Sequence, residues 1–280
     1  MDQPEQNPIE IATTSESPNG ASLFVTEPGE MPARDDIFPP WTGWDVLAVA
    51  GSTVAMVFLC SVLALGVAHL VSGAHNIPAR DLATNPLVII SAQIVAYPIV
   101  MLFMMMVVGS RSDEGFWRSV RWNWNGPKVA ACVVGGAIVA TVVNFASAYL
   151  PLPKSTAMDN FFHETFVAYL TAIFGITLGP LLEELFFRGM LYPTMRRLIG
   201  VIPATLFTAT MFAAIHGAQL EYAWAPLLSI FVVGIIFTVV REKTGSVAAT
   251  FVMHVGYNLT LFAMLWVASD HFRHLEKVTG

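Results

Sequence analysis

Apolar runs of roughly membrane-spanning length, repeated between Trp44 and Ala268, constrain this chain more than any other feature of its sequence. A transmembrane helix needs about 20 consecutive, mostly apolar residues. Only a backbone that satisfies its own hydrogen bonds can cross hydrocarbon. The first run extends from Trp44 to Val71, the second from Pro86 to Val108 and the third from Pro127 to Tyr149. The fourth, from Phe166 to Tyr192, continues through a Glu-Glu pair. A short fifth run covers Val201–His216, followed by Trp224–Val240 and Val247–Ala268. Composition agrees: 55% of the 280 residues are hydrophobic and only 12% are charged, against about 25% charged in soluble domains. The expected fold class is therefore all-α, a polytopic transmembrane helical bundle of seven spans.

The flanking residues fit this division. All seven tryptophans (Trp41, Trp44, Trp117, Trp122, Trp124, Trp224 and Trp266) fall at or just beyond span ends, where the amphipathic indole meets the headgroups. With the N-terminus cytoplasmic, the inner loops hold Arg111, Arg118, Arg121, Lys128, Arg196, Arg197, Arg241 and Lys243, and the outer side holds Arg80, Lys154, Arg273 and Lys277. That bias favours N-in and C-out, in a cell membrane. Residues 1–40 carry eight acids and one base, Arg34, and read as a disordered acidic tail. A transmembrane domain then covers 41–268, its motif-bearing core 165–268, and a short tail covers 269–280. The acidic tail excludes nucleic acid as a partner. The alternation of bases and aromatics over 116–124 reads as a juxtamembrane segment rather than a stacking surface. Cys60 and Cys132, inside apolar runs, read as small hydrophobes. Asn144 and Gln93 read as cross-helix hydrogen-bonding groups.

Charges at membrane depth are costly and mark function. They gather in the second half of the chain. The fourth run contains Glu183, Glu184 and Arg188, the fifth ends in His216, and the seventh carries His254 and Asn258. Residues four apart share a helix face, so Glu184 pairs with Arg188. Glu183, about 100° around the axis, is left to face a cavity. Gly179-Pro180 just upstream predicts a kink. His254 and Asn258 also share a face. Three helices can thus converge one carboxylate, two imidazoles and a carboxamide, a set suited to amide hydrolysis. Glu183 would take a proton from water and return it to the leaving amine. One histidine would orient the water, and Asn258 with the second histidine would meet the oxyanion. Arg188 would keep Glu184 charged and fix the helix rotation. Each group also has a structural reading: a buried ion pair for Glu184–Arg188, an interfacial His216, and interhelical bonding for His254 and Asn258.

Taken in order, Glu183-Glu184 with Arg188, Phe212 with His216, and His254 with Asn258 resemble the EExxxR, FxxxH and HxxxN motifs of the CAAX-protease and bacteriocin-processing family, which includes the type II CAAX prenyl endopeptidases. The resemblance covers about residues 165–268. It implies an intramembrane endopeptidase in which Glu183 acts on water, His216 and His254 contribute to the site, and Asn258 assists the oxyanion. Members often have eight spans, one more than is read here. The substrate it implies is a peptide or protein, lipidated or membrane-associated, entering from the bilayer. A mechanism without cofactor is favoured, because Asn258 is a poor zinc ligand; the alternative is zinc held by Glu183, His216 and His254. Other readings are a transporter with a proton relay and a catalytically silent immunity-type protein.

Overall fold

The computed structural model describes residues 39–71 and 78–274, and the acidic tail and the last six residues lie outside it. The described segments are helical, as an apolar chain in hydrocarbon requires. Seven principal helices follow in order: α1 (Gly43–Val71), α2 (Pro86–Gly109), α3 (Val129–Ser147), the discontinuous α4 (Thr165–Ile199), α5 (Val201–Ile215), α6 (Trp224–Thr244) and α7 (Val247–Ala268). All but α5 are long and apolar enough to cross a membrane. The 15 residues of α5 rise only about 22 Å, less than a bilayer core of about 30 Å. These bounds agree closely with the sequence reading. The exception is α4, which runs on to Ile199.

Three packed pairs surround α4: α1 with α2, α3 with α7, and α5 with α6. The α3–α7 pair is the closest. A Cβ on Gly136 would collide with the carbonyl oxygen of Met253, and one on Gly256 would lie 2.9 Å from the Cα of Val133. Without a hydrophobic drive between helices in lipid, such small-residue contacts let backbones approach and gain dispersion energy. Cys60 and Cys132 are buried thiols in apolar clusters, as expected.

The break in α4 lies elsewhere than expected. Pro180 sits in the first turn of the segment Leu178–Glu184, where a missing N–H removes no helical bond. The discontinuity is at Thr177, whose φ of −116° and ψ of −83° leave the helical region. A second irregularity follows, a π-helical stretch over Leu185–Leu191. Such stretches shift backbone carbonyls out of the regular ladder and recur at functional sites. Here the carbonyl of Arg188 accepts a bond from Arg241 Nε at 3.1 Å.

Two smaller expectations are corrected. Trp41 is not an interfacial indole: it is fully buried, and its Nε1 donates to Thr194 Oγ1 at 3.1 Å. The side chain of Asn144 is exposed on α3 rather than bonded across helices. Segment 116–124 packs against the bundle end: Phe116 is buried, and Asn123 Nδ2 donates to the Gly245 carbonyl at 3.0 Å.

The α3–α7 contact yields a prediction. Gly136→Ala and Gly256→Ala will each cost about 1–3 kcal/mol through overpacking, read as a lowered thermal midpoint in detergent. Gly51→Ala, with nothing within 4 Å of the added carbon, will leave the midpoint unchanged.

Candidate active site

The site is organised around a pair of adjacent acids facing different environments. Glu184 is fully buried. Its Oε1 accepts from Arg188 NH1 at 2.9 Å and from His254 Nδ1 at 2.9 Å. The second NH2 group of Arg188 donates to the Gly234 carbonyl on α6 at 3.1 Å. Its guanidinium carbon also stands 4.5 Å from the centre of the Phe212 ring and 5.5 Å from that of Phe237, a cation–π arrangement strengthened by the absence of water. Arg188 therefore joins α4, α5 and α6 through one planar group. The sequence predicted the ion pair; it did not predict that the same carboxylate holds His254.

Glu183 points the other way. It lines a cavity of about 440 Å³ together with His216, His254 and Asn258. Its Oε2 lies 3.8 Å from His254 Nε2, too long for a hydrogen bond. Because Glu184 can only accept, the proton of neutral His254 resides on Nδ1, and the bare Nε2 faces Glu183. His216 is fixed similarly: its Nδ1 donates to the Phe212 carbonyl at 2.8 Å, leaving Nε2 as an acceptor. Phe212 lies between the two imidazoles, its ring 5.1 Å from that of His216 and 5.9 Å from that of His254. The FxxxH spacing thus supplies both a packing wedge and a carbonyl that sets a tautomer. Asn258 Nδ2 donates to the Gly175 carbonyl at 2.6 Å, just before the break in α4.

All four residues expected from sequence therefore share one cavity, but their hydrogen-bond inventory departs from expectation. Both neutral histidines have committed their N–H groups to protein acceptors. Neither has a donor left for an oxyanion, and one N–H of Asn258 is also in use. Sequence reasoning missed a polar wall residue, Tyr97, which comes from α2 together with Gln93. They are four apart and share a face, a signal that was visible but unanchored without a partner helix. Tyr97 packs against Phe174 with ring centroids 5.0 Å apart. Gln93, expected to bond across helices, lines the cavity instead.

The zinc alternative meets a poor donor set. Among the described residues no three or more of His, Cys, Asp and Glu are grouped so as to hold a metal ion. His216 and His254 each turn a bare Nε2 to the cavity that Glu183 lines, but these groups are not gathered into one ligand set. The residues present do not fit a three-ligand centre.

With this geometry in hand, comparison with known families is decisive for the second half of the chain. The family described as type II CAAX prenyl endopeptidase Rce1-like matches residues 164–260, about a third of the chain. Over this segment the chain is similar to that family. The match spans the helices that carry Glu183, Glu184, Arg188, His216, His254 and Asn258, and it leaves α1 to α3 outside. Six helices long and apolar enough to cross a membrane, together with this likeness to a membrane peptidase family, point to an integral membrane protein. No curated protein and no solved structure matches the chain.

The buried network predicts a large stability effect. Arg188→Leu strands the Glu184 carboxylate in an apolar interior, and breaking a buried pair in this way costs about 3–5 kcal/mol. Chemical denaturation in detergent will show this loss. Leu182→Met, a volume-conserving change at a buried apolar position of the same helix, will shift stability by less than about 1.5 kcal/mol.

Proposed function

We propose that the protein is an intramembrane endopeptidase in which Glu183 activates water without a metal. The observation that carries this reading is the division of labour between adjacent carboxylates. Glu184 is consumed by Arg188 and His254, while Glu183 faces the cavity.

Glu183 takes a proton from water as the oxygen attacks the substrate carbonyl. The bare Nε2 of His216 accepts the other water hydrogen and aims a lone pair at the carbon. The proton then passes from Glu183 to the leaving nitrogen, and the amide C–N bond breaks. His254 Nε2, 3.8 Å from Glu183, can share that proton during the cycle, with Glu184 and Arg188 behind it to stabilise the imidazolium. The oxyanion is met by the second N–H of Asn258 and by the Tyr97 hydroxyl, in a largely apolar-walled site where such bonds count most. This revises the roles expected from sequence: both histidines serve proton handling, and Tyr97 replaces a histidine as donor.

The apolar walls support a substrate with aliphatic or aromatic side chains, such as a lipidated or membrane-associated peptide of the kind named by the family's description. We further propose the orientation N-in and C-out in the plasma membrane, from the basic loops. A transporter reading gains less support, because the cavity sets Glu183 beside an imidazole that is hydrogen-bonded to a second acid, Glu184, rather than opening a path to the opposite end.

Four variants of the purified protein test the mechanism with peptide substrates. Glu183→Gln will abolish cleavage while keeping the thermal midpoint. Glu184→Gln will reduce kcat as well as stability, since it releases His254. Asn258→Ala will lower kcat by about 10²-fold, the usual cost of one oxyanion donor. Tyr97→Phe will lower kcat with KM nearly unchanged. Cleavage that survives in Glu183→Gln removes the reading, and so does the absence of any peptide difference between membranes holding the wild type and this variant. Activity lost on chelation and restored by zinc would replace the metal-free mechanism.

A further inference from the structure

The cavity reaches towards one end of the bundle and is stoppered at the other. Towards its mouth it is lined by Met158, Phe161 and Phe162 of the 3-10 turn Ala157–Phe162 and by Gln219 and Leu220 of the loop between α5 and α6. These two loops meet through a bond from Met158 N to the Gln219 carbonyl at 3.2 Å. Thr165 at the start of α4 reaches the Phe272 carbonyl at the same end, 3.3 Å away. Beneath Glu183 the interior is filled. Arg188 bonds Gly234, Arg241 bonds the Arg188 carbonyl, Tyr192 and Arg196 both bond Glu242, and Trp41 closes over Thr194. None of the described residues 98–157, 184–211 or 234–253 lines the cavity.

The two ends also differ in charge. At the stoppered end lie Arg111, Arg118, Arg121, Lys128, Arg196, Arg197, Arg241 and Lys243. Among the described residues, the mouth end has only Arg80, Lys154 and Arg273 as bases, beside Asp81, Asp159, Glu164, Glu221 and Asp270. Basic residues are retained on the cytoplasmic side during insertion. Two independent features, the filling of the interior and the distribution of charge, thus assign opposite ends of the bundle.

We propose that the mouth of the cavity faces away from the cytoplasm, so that the substrate is an apolar peptide segment presented from the extracytoplasmic side. This rests on the peptidase reading above. It separates the chain from an enzyme acting on cytoplasmic C-termini, since such a segment would have to pass the Arg188 network to reach Glu183. Exported peptides, or the outer juxtamembrane stretches of membrane-anchored proteins, are the chemical class that can enter.

Vesicles of known sidedness test this with the full chain. Cysteines are introduced one at a time at Lys154 and Lys243, both exposed and neither part of the cavity wall. The two native cysteines are buried, so the wild type serves as the blank for a membrane-impermeant maleimide. A quenched-fluorescent peptide with a Leu-Phe core is then added outside the same vesicles. The expected result is labelling of Lys154→Cys in right-side-out vesicles and of Lys243→Cys only in inverted ones. Cleavage is expected in right-side-out vesicles and is lost in Glu183→Gln. Labelling of Lys243→Cys from outside, or Glu183-dependent cleavage confined to inverted vesicles, overturns the sidedness and leaves the peptidase standing. Labelling as expected with no Glu183-dependent cleavage in either preparation overturns the peptidase reading, and this proposal with it.

Discussion

A carboxylate that cannot reach water holds this site together. Glu184 is sealed among helices, and the only way to keep its charge there is to surround it with donors. Arg188 supplies one from the next turn and His254 another from α7. The bond to Gly234 then ties α6 to the same group. A buried pair of this sort is weak evidence for stability, since an apolar replacement of equal volume can be as good. Its value here is positional. It fixes the rotation of α4, and so the direction in which Glu183 points, and it fixes the tautomer and tilt of His254.

The surrounding packing follows from that centre. Phe212 lies against the guanidinium and between the imidazoles, so an apolar side chain orders three polar ones. The π-helical stretch after Glu184 gives the Arg188 carbonyl an outside partner in Arg241. Local irregularity in α4 is thus compensated by side chains from α6, as unsatisfied backbone in a membrane must be.

Much of this was legible in the sequence because the solvent is so restrictive. Hydrocarbon leaves a chain little choice but helices about a bilayer long, so the runs Pro86–Val108 and Val247–Ala268 give their elements directly. The separate surroundings of Glu183 and Glu184 followed from helical spacing alone. Tertiary detail was hidden wherever one residue type serves two environments. Trp41 looked like every other terminal tryptophan, yet it packs over Thr194. Pro180 promised a kink, but a proline in a first turn costs nothing, and the chain bends at Thr177 instead. The capture of His254 by Glu184 needed knowledge of which helix lies beside which. So did the arrival of Tyr97 at the cavity, from a segment outside the family match.

The contact between α3 and α7 at Gly136 and Gly256 has a mechanical meaning. Backbones in direct contact cannot slide without lifting one helix over the other. The wall that bears His254 and Asn258 is therefore the anvil of the site. Accommodation of a bulky guest is left to the opposite side, where Thr177 interrupts α4 and a backbone hydrogen bond links the two loops at the rim.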